Sequence, residues 1–123
     1  MSEARTFVAA ALVGAIGVLL GAFAAHGLKG RLSPEDLQVF ETGVRYQMYH
    51  APALLLCGLL ARSGRPARAS AWCFLLGVAV FSGSLYLLAT TGVRWLGAIT
   101  PIGGLALVLG WIALIPAGRQ PAG

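Results

Sequence analysis

The stretch TFVAAALVGAIGVLLGAFAA, from Thr6 to Ala25, decides the fold because its 20 residues include no charged side chain. A helix that crosses the hydrocarbon core of a bilayer needs about 20 predominantly apolar residues. The apolar region of a secretory signal peptide is shorter, typically about 7–15 residues. The stretch therefore predicts a true membrane-spanning helix.

The composition of the whole chain excludes an ordinary water-soluble globule. Of the 123 residues, 58% are hydrophobic and 11% are charged, whereas soluble domains carry about 25% charged residues. The net charge of +5 raises nucleic acid as a partner, but the basic residues lie mostly at the ends of apolar segments. No run of Lys and Arg is interleaved with aromatic residues, as a nucleic-acid surface requires. No nucleic-acid partner is therefore expected.

Four spans are predicted, at about residues 6–26, 38–61, 69–89 and 98–116. The expected fold is all-α, an integral membrane, up-down bundle of four transmembrane helices in a single domain over residues 1–123. The second helix is predicted to begin near Pro34, because Ser33 is a good N-cap and proline suits the first helical position. The first helix is expected to close at His26, with Gly27 as the residue just beyond its end.

The distribution of basic residues predicts the orientation, because cytoplasmic loops carry an excess of Lys and Arg. With the N-terminus inside, the cytoplasmic side carries five bases, which are Arg5, Arg62, Arg65, Arg68 and Arg119. The outer side carries three, which are Lys29, Arg31 and Arg94, because Arg45 is expected to lie buried in the second span. Both termini are therefore predicted to be cytoplasmic.

Small residues form one face of the first predicted helix, where Gly14, Gly17 and Gly21 fall on the same side at 100° per residue. Gly17 and Gly21 form the small-x-x-x-small pattern that lets two helix backbones approach closely. This face is predicted to pack against protein, either another helix of the same chain or a second subunit. The third helix carries a similar stripe that includes Ser70 and Gly77.

The second span contains the polar segment FETGVRYQMYH, residues 40–50. Ionisable residues within a span usually face the bundle interior and are functional hypotheses by default. We expect Arg45 to point into the bundle and to hydrogen-bond Glu41 or backbone carbonyls of another helix. Tyr46, Tyr49 and His50 are then expected to line a cavity beneath it that opens to the outer side, where His26 also lies. The segment can equally be a self-satisfied polar network that only orients the helix.

The same residues give no support for a metal, a cofactor or a catalytic group. His26 and His50 are expected to differ in depth by roughly 13 Å, which is too far for the two faces of one haem. Acidic residues do not cluster with histidine at metal-ligand spacing, and the sequence contains no nucleophile elbow and no phosphate loop. No metal, cofactor or catalytic residue is therefore assigned.

Four ordered motifs carry a family resemblance, and they are GAFAAHGL (21–28), FETGVRYQMYH (40–50), FSGSLYLL (81–88) and LGAITPIGG (96–104). On these motifs the chain resembles the YgdD/YwdK family of small bacterial inner-membrane proteins. Ala24 departs from the glycine more frequent at that position. The resemblance covers nearly the whole chain and implies four transmembrane helices in the inner membrane. It implies no reaction, substrate or cofactor.

The function expected from the sequence is a non-enzymatic membrane protein that binds a lipid, a small amphiphile or a protein partner through the outward-opening polar pocket. Membrane lipids, a second copy of the chain and another membrane protein are the expected partners. A small oligomeric transporter or proton-coupled permeation unit is the alternative, motivated by the titratable His50 and Glu41. A membrane enzyme that uses His50 or Tyr49 as acid or base is a third possibility.

Overall fold

The computed structural model describes residues 1–119, and every regular element in that range is helical. The four long helices are α1 (Glu3–Phe23), α2 (Pro34–Arg62), α3 (Arg68–Thr91) and α4 (Leu96–Ile112), and a short α5 (Ile115–Arg119) follows. A π-helical turn, Ala24–Leu28, extends α1. The prediction of an all-α membrane bundle is confirmed.

The helix starts follow local side-chain chemistry. The Ser33 hydroxyl accepts a hydrogen bond from the Asp36 backbone N–H at 3.1 Å, so α2 begins at Pro34 as the sequence predicts. The Ser2 hydroxyl accepts one from the Arg5 backbone N–H at 3.2 Å and caps α1. These bonds satisfy backbone donors that have no acceptor within the helix.

One predicted helix end is wrong. The first helix does not stop at His26, because a π-helical turn continues it to Leu28. Gly27 lies within this turn, where a Cβ would lie 2.6 Å from the Phe23 ring. The left-handed residue that reverses the chain is Gly30, with φ at +85°. The predicted fourth span, residues 98–116, lies within the apolar segment Leu96–Arg119, where a two-residue turn separates the end of α4 at Ile112 from the start of α5 at Ile115. Pro116 has no N–H to continue the helical hydrogen bonding.

Consecutive helices pack against each other in the order α1–α2, α2–α3 and α3–α4. Glycines permit the closest approach, because a Cβ on Gly103 of α4 would lie 2.8 Å from the Phe81 Cα of α3. The turn between α2 and α3 (residues 63–67) lies at the same end as the N-terminus and α5, and we call this the turn end. The opposite end carries residues 29–33 and 92–95, and we call it the loop end.

Three segments are long and apolar enough to cross a membrane, namely Glu3–Leu28, Arg68–Thr91 and Leu96–Arg119. Helix α2 is of spanning length, but its loop-end half is polar. Its buried face carries small or neutral residues, such as Gly43, Ala51 and Gly58, that contact the helices on either side.

Candidate functional site

Helix α2 presents a continuous stripe of side chains to the outside of the bundle. The residues of this exposed α2 stripe are spaced by three or four and are Glu41, Arg45, Tyr49, Pro52, Leu56 and Leu59. The three residues nearest the loop end are polar, and the three nearest the turn end are apolar. The stripe therefore changes from polar to apolar along the direction in which α2 crosses the bundle.

Arg45 does not occupy the position that the sequence predicts. Its guanidinium lies on the exposed α2 stripe and donates a hydrogen bond to the Thr42 hydroxyl at 3.2 Å. Within residues 1–119 it forms no ion pair with Glu41 and no hydrogen bond to a carbonyl of another helix. The interior of the bundle at this level is instead taken by Gly43 and Gln47 of the same helix.

The two tyrosines of the segment lie beside Arg45 and not in a cavity beneath it. Tyr49 is 57% exposed and Tyr46 is 39% exposed. Their rings meet edge to face with centroids 5.6 Å apart, and Tyr46 also packs on Phe81 of α3 at 4.6 Å. The structure therefore gathers Arg45, Tyr46 and Tyr49 on the outer surface of the bundle.

His50 is separated from that group because it is buried, with 5% of its surface exposed. The indole N–H of Trp111 donates to His50 Nε2 at 3.0 Å, and His50 Nδ1 lies 2.7 Å from the Tyr46 carbonyl. An indole nitrogen can only donate, so Nε2 carries no proton. His50 is therefore a neutral imidazole whose Nδ1–H donates to Tyr46, and it joins α2 to α4.

Gln47 is the buried polar residue that the sequence interpretation missed. Its amide Nε2 donates to the Val13 carbonyl of α1 at 2.9 Å, and its Oε1 accepts from the Tyr86 hydroxyl of α3 at 2.6 Å. The Ser82 hydroxyl donates to the Gly43 carbonyl at 2.7 Å. Gln47 shares one helical face with Gly43 and Ala51, and this run of small residues is the signal that identifies the buried face.

His26 lies on the exposed surface of the π-helical turn at the loop end. It is therefore at the same end as Glu41 and Arg45, but the structure does not place it in a common cavity with them. The six residues proposed from the sequence fall into an exposed group on α2, one buried histidine and one exposed histidine.

The glycine face of α1 is turned towards α2. A Cβ on Gly14 would lie 3.6 Å from the Ala51 Cβ, and a Cβ on Gly21 would lie 3.3 Å from the Val44 Cγ1. A Cβ on Gly17 would overlap the Met48 sulfur. These glycines therefore permit close approach between two helices of the same chain.

A cavity at the turn end has a volume of about 820 Å³. It is lined by the start of α1, the end of α2, the start of α3 and residues around Pro116. None of the six residues proposed from the sequence lines it. Among the residues that the structure describes, no three His, Cys, Asp or Glu side chains lie together as a metal site.

Comparison with known proteins gives consistent family matches. Residues 20–104 match the family described as "Protein of unknown function (DUF423)". The UPF0382 membrane protein SH2409 of Staphylococcus haemolyticus is 48% identical over 106 residues, covering 85% of this chain and 87% of that protein. The UPF0382 membrane protein YwdK of Bacillus subtilis is 46% identical over 113 residues, covering 86% and 92%. A UPF0382 membrane protein of Haemophilus influenzae is 47% identical over 105 residues, covering 85% of each. No solved structure matches the chain.

Proposed function

The chain belongs to the DUF423 family of membrane proteins of unknown function, and we propose that it binds an anionic phospholipid headgroup through Arg45 at the loop end of α2. Membership confirms the resemblance to YwdK drawn from the four motifs. Because the family carries no assigned activity, the proposal rests on the chain's own residues. The proposed function is lipid binding and not an enzymatic reaction.

The observation that carries the proposal is the incomplete hydrogen bonding of Arg45. The guanidinium stays charged at any physiological pH, and it has several N–H donors in a planar fork. One of them reaches Thr42, which leaves most of the donors without a protein acceptor in the described part of the chain. A phosphate diester provides charged oxygens in a geometry that matches this fork.

The length of α2 supports a position of Arg45 at headgroup level. Arg62 marks the turn end of α2, and Arg45 precedes it by 17 residues, or about 26 Å of helix. The hydrocarbon core is about 30 Å thick, so Arg45 lies near the boundary on the far side. An arginine at that depth reaches outward to the headgroups at moderate cost.

The rest of the exposed α2 stripe has the polarity that a bound lipid requires. Tyr46 and Tyr49 adjoin Arg45, and amphipathic aromatic rings favour the membrane–water interface. Pro52, Leu56 and Leu59 follow on the same face and are exposed. A lipid whose phosphate contacts Arg45 can therefore extend its acyl chains along an apolar surface.

The proposed location is the bacterial inner membrane, with both termini in the cytoplasm. The support is the count of five bases at the turn end against four at the loop end, where Arg45 now joins Lys29, Arg31 and Arg94. In this orientation the Arg45 site faces the outer leaflet. The turn between α2 and α3 then faces the cytoplasm with Arg62, Arg65 and Arg68.

A second copy of the chain is the other candidate partner for the same stripe. Glu41 and Arg45 are both exposed and one helical turn apart, without an ion pair between them in residues 1–119. When two α2 helices lie parallel, Glu41 of one can pair with Arg45 of the other. Charge pairing of this type fixes partner and register in helix pairs.

Transport has weaker support than binding. The proton-coupled alternative needs a titratable group available inside the bundle, and His50 is the buried candidate. Both of its ring nitrogens already have hydrogen-bond partners, on Trp111 and Tyr46. Its arrangement favours a role in helix packing.

The test measures lipid affinity of the delipidated protein by native mass spectrometry, with phosphatidylglycerol and phosphatidylcholine as probes. Arg45→Gln is expected to weaken phosphatidylglycerol binding about tenfold, because a hydrogen-bonded charge pair contributes more than a neutral contact. Arg31→Gln is the matched control, since Arg31 is also exposed at the loop end. Equal affinity of wild type and Arg45→Gln contradicts the proposal.

The same preparation separates lipid binding from self-association. If a second copy covers the stripe, Glu41→Gln and Arg45→Gln each reduce the dimer fraction in mild detergent. The exchange variant Glu41→Arg with Arg45→Glu then restores it. A monomeric wild type that still binds phosphatidylglycerol through Arg45 supports the lipid proposal over the dimer.

A further inference from the structure

The turn-end cavity is polar at one wall, although it is formed by helices that are otherwise apolar. The wall consists of Arg65, in the turn before α3, and of Arg68, Ala69 and Ser70 at the start of α3, and the lining also includes Thr6 and Ala61. The cavity has a volume of about 820 Å³. This is within the range of small-molecule sites, which is about 300–1,000 Å³.

The start of α3 presents backbone donors to this cavity. The residue before the helix is Ala67, and no side chain caps the helix there. The first N–H groups of any α-helix have no acceptor within the helix. In α3 these groups include those of Arg68 and Ala69, which are exposed and line the cavity, so two backbone donors are available to an anion.

Ser70 provides a second and independent observation. Its side chain is buried, with 0% of its surface exposed, and its hydroxyl has no hydrogen-bond partner within the described residues. A buried hydroxyl without a partner costs free energy, so natural proteins rarely leave one unpaired. A ligand oxygen bound beside Ser70 supplies the missing hydrogen-bond partner of its hydroxyl.

The charge around the cavity also favours an anion. Arg65 is held in place because it donates to the Ala117 carbonyl at 2.7 Å, and Arg68 is exposed beside it. Glu3 also lines the cavity, but its carboxylate lies 3.8 Å from the Arg62 guanidinium and is compensated by it. The remaining charge at the wall is positive.

We propose that the turn-end cavity binds a phosphate group, held by the uncapped start of α3, the Ser70 hydroxyl, Arg65 and Arg68. Helix N-termini bind phosphate through free N–H groups and the positive end of the helix dipole. The phosphate belongs either to an anionic lipid headgroup of the adjacent leaflet or to free phosphate. This site lies at the opposite end of α2 from Arg45 and does not depend on the function proposed above.

The decisive variant is Ala69→Glu, which adds a carboxylate to the lining of the cavity. Ala69 is exposed, and an acidic residue in the first turn stabilises a helix. The variant is therefore expected to fold and to melt no lower than wild type when ligand is absent. Its affinity for short-chain phosphatidylglycerol, measured by calorimetry in a non-ionic detergent, is expected to fall about tenfold.

Ala4→Glu is the matched control. Ala4 is exposed in the first turn of α1 at the same end of the molecule, and it does not line the cavity. It adds the same charge, so it is expected to leave the affinity within about twofold of wild type. An equal loss in both variants means that only the net charge of this end matters, and it overturns the proposal.

Two further measurements complete the test. In the first, Ser70→Ala is expected to keep or raise the melting temperature without ligand and to weaken phosphatidylglycerol binding. A lower melting temperature without ligand indicates that Ser70 has a packing role, and it contradicts the proposal. The second measurement adds inorganic phosphate to the lipid titration. If inorganic phosphate competes with phosphatidylglycerol, free phosphate is sufficient to occupy the site. If phosphatidylglycerol binds and inorganic phosphate does not compete, the ligand is the lipid headgroup. The turn-end variants are compared in the Arg45→Gln background, so that the phosphatidylglycerol binding measured here does not include the Arg45 site and the two sites fail or succeed separately.

Discussion

The indole nitrogen of Trp111 lies 3.0 Å from Nε2 of His50, so a side chain of α4 donates a hydrogen bond to a buried imidazole of α2. The two rings also pack on Phe74 of α3, with centroids 5.4 Å from His50 and 5.0 Å from Trp111. Three helices therefore meet at one polar contact within an apolar environment. Protonation of Nε2 would place two donors against each other, so this contact holds His50 neutral.

The variant Trp111→Phe tests this contact. It keeps an aromatic ring against Phe74 but leaves His50 Nε2 without a donor, so the free energy of unfolding is expected to fall by about 1 kcal/mol. The measurement is unfolding by SDS titration in mixed micelles. Trp95→Phe is the control because Trp95 is 66% exposed at the loop end, and it is expected to change stability by less than half as much.

The variant Tyr86→Phe removes the hydroxyl that donates to Gln47 at 2.6 Å. It leaves a buried amide oxygen unpaired, and a loss of about 1 kcal/mol in the free energy of unfolding is expected. Tyr49→Phe deletes the same atom from a ring that is 57% exposed, and it should be nearly neutral. If the two variants are equally stable, Gln47 does not join α1 to α3 as described.

The contact between α3 and α4 predicts opposite effects for two glycines. A Cβ on Gly103 would meet the Phe81 backbone, which cannot move aside, so Gly103→Ala is expected to cost about 1–3 kcal/mol. A Cβ on Gly83 has open space around it. Gly83→Ala is therefore expected to be neutral or to stabilise α3 by up to about 1 kcal/mol. SDS unfolding of the two variants measures the change in the free energy of unfolding for each.

The orientation is tested by reporters that are active on one side of the membrane only. A fluorescent protein that matures in the cytoplasm is expected to be active when fused after Gly123. Alkaline phosphatase, which needs the oxidising periplasm, is expected to be active when inserted between Gly30 and Arg31. The reverse pattern means that the arginine-rich segment at residues 62–68 lies outside and that the predicted topology is wrong.

The helices can be predicted from the sequence because the bilayer restricts the choice of structure. A run such as Thr6–Ala25 cannot leave its backbone unpaired in lipid, so it forms a helix. The start of α2 is also predictable, since Ser33 and Pro34 act locally. The end of α1 is not predictable in this way, because the close packing of Gly27 against the Phe23 ring depends on the π-helical turn that forms there.

The placement of Arg45 could not be predicted from helical periodicity alone. Periodicity shows that Glu41, Arg45 and Tyr49 share a face, but it does not show which face meets the other helices. The general tendency of charged residues to face the bundle interior gives the wrong orientation here. The small residues Gly43 and Ala51, with Gln47 between them, permit closer packing and occupy the interior.

The exposed position of Arg45 makes its contact with a phospholipid phosphate directly measurable. The most direct measurement is solid-state NMR of the protein in phosphatidylglycerol bilayers, with labelled arginine and dephasing by lipid ³¹P. The Arg45 signal is assigned by its absence from Arg45→Gln. A bidentate contact places the guanidinium carbon about 4 Å from phosphorus, so strong dephasing is expected at Arg45. The expected dephasing is weaker at Arg31, which is exposed in the loop. An Arg45 signal that ³¹P does not dephase would contradict the proposed headgroup site.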